Sequence, residues 1–525
     1  MTSPNLLRHF WDPNHRFTVV LNLFVIGYTF LIHFLFLSGL LGLRLAVVLM
    51  SVLACLNPFE FIHSYFLHSQ FNEGTLGLIF SLDHTKAKEF SLGINYFLLL
   101  GFLIPVLIWK IFGLLRFPSF TFKQRGIFLA ISLILYTYPN LDRLFPGKFT
   151  PLIPRKNAIR VKASPPFNIP YSFSRYLYKR HKRSSDLKLR STFKFHPKNT
   201  ANKEAELIVL VVGESSRAHN WRLFGYDRST TPLLEKRLQN LVLCPDYISP
   251  GNNTRNSFPQ LITRATVNQF DRALQERSIL SLFKEAGFQT WILSNQGLMA
   301  EDYSFFAEDA DSLVHFPVYR HPDEVLLQPF REAIGRNRSQ KQFILLHTVG
   351  SHFAYYQRYP ASFKHFKPGM EDEPFVFSKG HRHQLENSYD NSIRYTDFIL
   401  DQIIQSLEAD GRKASLFYIA DHGEIIFDDS FGTIYHSSEH PTELEVHVPF
   451  LAWFSNKAME EEKTLTFRKN ALNKLGGEVV FYTLAGSADL DFALNNKKLN
   501  LFCKEFKAPH HRYVLTPSHQ IFNYD

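Results

Sequence analysis

Three potential metal ligands follow two short apolar runs that predict buried strands. Glu214 comes directly after residues 206–213, and Asp421 with His422 comes directly after residues 415–420. Open α/β sheets bind their ligands at the carboxyl ends of parallel strands, where side chains are held rigidly at one edge. Oxygen and nitrogen donors without thiolates suit zinc or manganese. The pattern therefore predicts a metal site for one of these ions.

The two strand ends differ in how specifically they indicate a metal. A glutamate after a strand commonly serves only as a favourable charge at a helix N-terminus, so Glu214 alone is ambiguous. The Asp421-His422 pair is more specific, because adjacent side chains must both turn toward one point. Gly423 would permit the sharp turn that this arrangement requires.

Four apolar runs alternate with helical patterns after residue 200. They cover residues 206–212, 290–293, 343–347 and 415–420. Continuous apolar strands separated by helices are typical of a parallel sheet that is covered on both faces. The predicted fold class of this region is therefore an α/β domain with a largely parallel central sheet.

The N-terminal part of the chain is dominated by Leu, Ile, Val and Phe. Three apolar runs are long enough to cross about 30 Å of hydrocarbon as helices, at residues 17–37, 43–66 and 92–115. A fourth run, at residues 126–138, is short for a complete span. The expected organisation is a transmembrane helical domain, an interfacial linker and a globular domain, at residues 1–140, 141–200 and 201–525.

Basic residues indicate which side of the membrane the globular domain occupies. Lys123 and Arg125 would place their loop in the cytoplasm by the positive-inside tendency, so the following domain would emerge on the outer side. Arg8 and Arg16 would keep the N-terminus in the cytoplasm as well, and four spans cannot satisfy both conditions. Four spans with the N-terminus outside and five spans with it inside both stay open.

Charge and cysteine content limit the classes of partner. The chain has 58 Lys and Arg against 48 Asp and Glu, a formal charge of +10. The basic residues concentrate in the linker, at 155–162 and 179–183, where a run beside a bilayer more often contacts lipid head groups than nucleic acid. A solvated linker without such contacts stays open as the alternative. Cys244 and Cys503 follow the apolar region and could form at most one disulfide, so whether they pair is open.

Five motifs resemble, in order and spacing, the phosphoethanolamine transferases of the sulfatase-like branch of the alkaline phosphatase superfamily. They are VVGESSR at 211–217, GYDRSTTP at 225–232, SHFAYYQRYP at 351–360, YDN at 389–391 and IADHGE at 419–424. The resemblance is strong over residues 206–455 and holds only in outline for the membrane part. It implies an alkaline-phosphatase-like or sulfatase-like catalytic domain behind the transmembrane helices.

The resemblance also implies roles for individual residues. Thr254, in the stretch GNNTRNSFP at 251–259, matches the family's metal-bound nucleophile. The implied zinc ligands are Glu214, Thr254, Asp421 and His422. From the residues alone, Thr254 could equally cap the helix that follows it. One zinc ion is expected, and whether a second binds is open.

Two further histidines are implied to bind the incoming phosphate or a second metal. His352 matches the family's pattern cleanly. The other histidine lies within residues 435–442, where His436 is favoured and His440 stays open.

The implied reaction moves phosphoethanolamine from phosphatidylethanolamine to an envelope glycolipid, either the lipid A or a core sugar of lipopolysaccharide. Thr254 would carry the group as a covalent phospho-threonine, because a metal can activate a threonine hydroxyl. The implied location is the bacterial inner membrane, with several spans and the catalytic domain in the periplasm. The low cysteine content resembles that of family members with few disulfides and leaves the acceptor open.

Three other functions are alternatives to this one. A sulfatase needs Cys or Ser in a C/S-x-P-x-R context, and the sequence CPDYI at 244–248 does not supply it. A glycerol-phosphate transferase of the same superfamily would use the same metal and threonine, so these residues do not exclude it. A non-catalytic membrane protein that binds envelope components is a third alternative, although each implied ligand is present in the sequence.

Overall fold

The computed structural model describes the globular part of the chain almost completely. The described residues are 34, 35, 37, 38, 120–137, 168–198, 204–296, 304–316, 321–372, 379–429 and 433–525. The chain divides into two compact units, residues 1–182 and 183–525. The predicted domain boundaries near residues 140 and 200 stay predictions.

Most of the predicted membrane segment lies outside the described residues. The runs at 17–37, 43–66 and 92–115 fall there almost entirely, whereas most of the run at 126–138 lies in helix α1, Phe122–Thr137. Among the helices that the structure describes, none combines the length and the apolar character needed to span a bilayer.

The strands form one large sheet and three two-stranded pairs among the described residues. The strands are β1 (Glu206–Gly213), β2 (Leu241–Cys244), β3 (Tyr247–Ile248), β4 (Gln289–Ser294), β5 (Ser312–His315), β6 (Gln342–His347), β7 (Lys413–Ala420), β8 (Ile425–Ile426), β9 (Ile434–Tyr435), β10 (Phe450–Phe454), β11 (Leu475–Gly476), β12 (Tyr513–Leu515) and β13 (Ile521–Asn523). The large sheet has the order β2-β10-β7-β1-β6-β4-β5. Strands β7, β1, β6, β4 and β5 are parallel, and β10 is antiparallel to both of its neighbours. The predicted α/β domain with a largely parallel sheet is confirmed.

The helices that follow α1 in the chain are α2 (Asn168–Thr192), α3 (Thr254–Ile262), α4 (Arg272–Gln275), α5 (Ile279–Glu285), α6 (Leu327–Arg336), α7 (Arg382–Asp410), α8 (Glu443–Val446), α9 (Asn456–Met459), α10 (Glu462–Asn470) and α11 (Val479–Ser487). Helices that connect the strands, among them α3, α5, α6, α7 and α11, pack on the two faces of the sheet. The long helix α7 ends at Gly411, whose φ of +77° is a left-handed conformation that glycine adopts without steric cost.

Strand β1 lies in the middle of the sheet and is buried along its whole length. Its side chains alternate between two apolar clusters, because successive residues of a strand point to opposite faces. Ile208 and Val212 pack in one cluster, with residues of α3, α5 and α11. Leu207 and Val211 pack in the other, with residues of α6 and α7. Burial on both faces explains why this strand has an unbroken apolar sequence.

The two cysteines of the globular part do not pair. Cys244 and Cys503 are both free thiols, and Cys244 is fully buried at the end of β2. Burial raises the pKa of the Cys244 thiol well above its usual value, so it remains protonated and apolar in character.

Candidate metal and catalytic site

The register of two adjacent strands places the predicted carboxylates side by side. Gly213, the last residue of β1, pairs with Ala420, the last residue of β7. Glu214 and Asp421 therefore leave the sheet at the same edge, and both are fully buried. The Ser215 backbone N–H donates to Asp421 Oδ1 at 3.2 Å, which connects the two loops.

Thr254 reaches the same point from a different element. It is the first residue of α3, whose N-cap is Asn253: the Asn253 side chain accepts from the backbone N–H of Asn256 at 3.0 Å. Thr254 is therefore not the capping residue, and its hydroxyl is available for other contacts. That hydroxyl donates to Glu214 Oε2 at 3.0 Å and lies 3.3 Å from His422 Nε2.

The donor atoms lie close to the separations that a tetrahedral metal requires. His422 Nε2 lies 3.1 Å from Glu214 Oε1 and 3.6 Å from Asp421 Oδ2. Zinc bonds of about 2.0 to 2.2 Å in a tetrahedron require donors about 3.3 to 3.6 Å apart. Asp421 Oδ2 is buried and has no hydrogen-bond partner among the described residues. Such an atom is costly to bury unless a cation or proton satisfies it, so the donor set fits zinc.

The electrostatics of the site favour a positive charge between the two buried carboxylates. Burial opposes the charged form of His422, but the Asp421 and Glu214 carboxylates outweigh it and raise the pKa of His422 to about 10. Burial and the Glu214 charge together raise the pKa of Asp421 to about 7. The pKa of Glu214 is well below its usual value, because His422 and His352 outweigh the effect of burial. Two buried carboxylates thus compete for one positive charge, which a divalent cation would supply.

Contacts behind the donors fix their orientation. His422 Nδ1 lies 2.8 Å from the Gly423 carbonyl, which can only accept, so Nε2 is left to face Glu214 and Thr254. The Ser215 hydroxyl donates to Glu214 Oε1 at 2.7 Å. These bonds hold the ligand atoms in place before any ion binds.

Two glycines allow the backbone to pack tightly behind the site. Gly350 has a φ of +52°, and a Cβ there would lie 2.8 Å from the Glu214 carbonyl oxygen. A Cβ on Gly423 would lie 2.1 Å from the Leu444 carbonyl oxygen. Gly423 is not among the glycines with a left-handed φ, so its backbone conformation alone does not require glycine. A side chain is excluded there because the segment that contains Leu444 approaches too closely.

The predicted phosphate-binding histidines lie beside this group. The His436 ring centroid is 4.1 Å from that of His422, and its Nδ1 lies 3.2 Å from Glu424 Oε2. His440 is exposed, so His436 is the histidine that the structure brings to the site. Burial lowers the pKa of His352, an effect that the nearby Glu214 charge partly opposes.

Comparison with known proteins identifies the family. The sulfatase family model matches residues 206–473, which is more than half of the chain. The chain belongs to the sulfatase family. Two Escherichia coli relatives that are named as transferases are 31% identical over 269 residues, which is 51% of this chain and 47% of theirs. The matched stretch of the chain thus spans about half the length of these first curated relatives.

Two further matches assign the chain to a branch of the sulfatase family. The Kdo(2)-lipid A phosphoethanolamine 7''-transferase of Escherichia coli K12 is 27% identical over 498 residues, 88% of this chain and 85% of that one. The crystal structure of the C-terminal periplasmic domain of Escherichia coli EptC is 25% identical, with a TM-score of 0.58 over 63% of this chain and 96% of that domain. The predicted membership of the phosphoethanolamine transferases, a family of enzymes, is confirmed.

Three residues at or beside this site were not predicted from the sequence. Gln296 donates from Nε2 to Glu214 Oε2 at 2.6 Å, and its position just past β4 was the available signal. Glu424 is fully buried, and its Oε1 lacks a hydrogen-bond partner within the described part of the chain. Glu445 accepts from Asn252 Nδ2 at 2.9 Å and so braces the loop that carries Thr254. The local signal for Glu445 was the capping box that it forms with Thr442 at the start of α8, but its contact with Asn252 joins segments that are distant in sequence.

Proposed function

We propose that this protein transfers phosphoethanolamine from phosphatidylethanolamine to a lipopolysaccharide glycolipid, with Thr254 as the nucleophile. The Thr254 hydroxyl carries the proposal, because it lies 3.0 Å from Glu214 Oε2 and 3.3 Å from His422 Nε2 in a group of metal-binding atoms. A threonine at the start of a helix has no structural need for such neighbours when Asn253 already caps that helix.

Glu214, Thr254, Asp421 and His422 would hold one zinc ion. The donor set is the support, since His422 Nε2 lies 3.1 Å from Glu214 Oε1 and 3.6 Å from Asp421 Oδ2, close to the separations around a tetrahedral ion, and Asp421 Oδ2 has no hydrogen-bond partner among the described residues. A bound zinc ion supplies positive charge that favours the deprotonated form of the threonine hydroxyl and offsets charge on the phosphoryl oxygens.

In the first half of the reaction, Thr254 Oγ1 forms a bond to the phosphorus of phosphatidylethanolamine. The bond between phosphorus and the diacylglycerol oxygen breaks, and diacylglycerol leaves with the proton that Thr254 loses. Phosphoethanolamine then remains on Thr254 as a phosphodiester. His352 and His436, which flank Glu214 and His422, are placed to offset charge on the phosphoryl oxygens.

In the second half, an oxygen of the glycolipid attacks the same phosphorus and the Thr254–phosphorus bond breaks. The acceptor oxygen loses its proton, and Thr254 regains one. Donor and acceptor are both lipids, so we propose a multi-pass inner-membrane protein with this domain in the periplasm. The basic residues that precede the domain, including Lys123 and Arg125, support that orientation.

The direct test is the intact mass of the full-length protein in detergent after incubation with phosphatidylethanolamine. Wild-type protein should gain the mass of a phosphoethanolamine group, and peptide mapping should locate it on Thr254. Thr254→Ala should show no adduct and no transfer, whereas Thr254→Ser, which keeps an oxygen, should retain partial activity. Incubation with phosphatidylglycerol tests the alternative donor, because a glycerol-phosphate transferase would gain a different mass.

The matched control is Ser257→Ala. Ser257 lies one helical turn beyond Thr254, and its hydroxyl donates to the Asn253 carbonyl at 2.8 Å and not to the site. This variant should form the adduct normally. Full transfer activity in Thr254→Ala would remove Thr254 from the mechanism.

A further inference from the structure

A second group of metal-binding side chains lies outside the donor set described above. His219, Glu443 and His447, here called the surface cluster, place one ligand atom each within 4.8 Å of one another. His219 Nε2 lies 3.3 Å from Glu443 Oε1, and His447 Nδ1 lies 3.7 Å from the same oxygen. The cluster joins the loop after β1 to the short helix α8 and the residue that follows it.

The backbone fixes the position of His447. Its N–H donates to the Glu443 carbonyl at 2.8 Å, and its carbonyl accepts from the Ala218 N–H at 3.0 Å. The bond from the Ala218 N–H to the His447 carbonyl also fixes the backbone next to His219. Two of the three side chains therefore project from backbone segments that are hydrogen-bonded to each other.

The tautomer of the neutral His447 ring is set by a neighbouring carbonyl group. His447 Nε2 lies 2.9 Å from the Pro245 carbonyl oxygen, which can only accept, so Nε2 carries a proton. Nδ1 is buried and has no hydrogen-bond partner in the described part of the chain. Metal-binding histidines commonly donate their second ring nitrogen to a carbonyl in this way, which directs the free lone pair at the metal.

The free lone pair of His447 Nδ1 faces a carboxylate oxygen 3.7 Å away. Two acceptors that face each other repel unless a proton or a cation lies between them. His219 Nε2, the third ligand atom, lies 3.3 Å from that oxygen, as a metal ligand would. We propose that His219, Glu443 and His447 bind a divalent transition metal, with zinc as the preferred ion.

The composition and exposure of the cluster define the kind of site. Two imidazoles and one carboxylate are a ligand set that zinc uses, and the donor separations of 3.3 and 3.7 Å suit its tetrahedral geometry. The His219 and Glu443 side chains are 37% and 57% exposed. A fourth coordination position would therefore face solvent and hold water.

The surface cluster is connected to the loops of the proposed catalytic site. Glu445, inside the α8 segment, accepts from Asn252 next to Asn253 and Thr254, and its carbonyl accepts from the Gly423 N–H at 2.7 Å. An ion at the surface cluster would link the loop after β1 to α8. Because Glu445 of α8 contacts Asn252 and Gly423, the ion would also stabilise the loops that carry Thr254 and His422. Its role is to position residues, and it takes no part in the transfer chemistry.

Metal content tests this proposal independently of transfer. Full-length protein in detergent is loaded with zinc chloride, dialysed against zinc-free buffer and analysed for zinc per chain by mass spectrometry. His219→Ala/His447→Ala should hold one ion fewer than wild type. His315→Ala/His510→Ala, which removes two exposed histidines elsewhere, should match wild type. Glu214→Gln/Asp421→Asn should lose the catalytic ion and keep the one at the cluster.

A second measurement covers the case in which the double histidine variant fails to fold. Glu443→Gln removes only the charge of an exposed side chain, and it should weaken cobalt binding about tenfold or more in a titration followed by visible absorption. Equal zinc content in wild type and a folded His219→Ala/His447→Ala variant would overturn the proposal, and a proton would then occupy the gap. An unchanged cobalt titration in Glu443→Gln would overturn it as well.

Discussion

At the scale of single residues, the most unusual group near the proposed site is His347. It ends β6, is fully buried, and packs against Phe258 of α3 with ring centroids 4.6 Å apart and the ring planes tilted by 37°. Neither of its ring nitrogens has a hydrogen-bond partner among the residues described by the structure. Burial lowers the pKa of His347 to about 4, so the ring is neutral at physiological pH.

His347 makes the stability of the domain sensitive to acid. The folded-state pKa, about 4, is below the unfolded value of about 6.5, so the unfolded chain binds more protons between these limits. The free energy of unfolding is therefore highest above pH 6.5, and it falls by up to about 3 kcal/mol as the pH approaches 4. His347→Leu should reduce this loss and leave stability at pH 8 equal or higher.

Urea unfolding of chelator-treated protein, followed by tryptophan fluorescence between pH 4 and 8, measures the effect. The control is His315→Leu, which replaces an exposed histidine and should keep the wild-type pH dependence. Identical pH profiles for wild type and His347→Leu would contradict this account of His347.

At the scale of elements, the start of α3 determines where the proposed nucleophile lies. The helix begins at Thr254 because Asn253 caps it, so cap and nucleophile are adjacent residues with separate tasks. Asn253→Ala should cost about 1 kcal/mol of stability and also slow adduct formation, because the first turn would no longer be held. Asn253→Ser keeps a capping oxygen and should restore most of both quantities.

Urea midpoints and the rate of phosphoethanolamine adduct formation are the two measurements for the Asn253 variants. A loss of stability with an unchanged rate of adduct formation would show that the cap does not position Thr254.

The contact between the Asp421-His422 loop and the α8 segment has no room for a side chain at Gly423. A Cβ there would lie 2.1 Å from the Leu444 carbonyl oxygen and 3.0 Å from Arg217 Cβ. Gly423→Ala should therefore cost about 1 to 3 kcal/mol and lower zinc retention, because the ligand loop must shift. The measurements are the unfolding midpoint and zinc per chain after dialysis.

Gly335→Ala is the matched control for Gly423→Ala. Gly335 lies in α6, where a Cβ would meet no atom within 4 Å. Because alanine favours a helix over glycine, this variant should be unchanged or more stable by up to about 1 kcal/mol. Equal effects of the two substitutions would refute the steric explanation for Gly423.

At the scale of the whole molecule, the proposed lipid chemistry requires the domain to lie outside the cytoplasm. Lys123 and Arg125 precede the domain and favour a cytoplasmic position for their own loop. A periplasmic alkaline phosphatase reporter fused after Asp525 should be active, and a fluorescent protein that matures only in the cytoplasm should be dark. The opposite pattern from the two reporters would reject the proposed orientation.

Much of this arrangement could be predicted from the sequence, because its signals are local. The apolar run of β1 predicts a strand buried on both faces, and Glu214 follows directly after it. The motifs identified the family, and Thr254 could be matched through them. Each of these signals lies within a few adjacent residues, where composition and spacing carry the information.

Only the tertiary structure decided which distant residues meet. Asn253, and not Thr254, caps α3, and His436, and not His440, lies beside His422. Gly423 is required by a carbonyl of a segment about twenty residues later in the chain. The pairing of His219 with the α8 segment likewise depends on chain segments more than two hundred residues apart. Such contacts result from the packing of strands and loops, which no short stretch of sequence specifies.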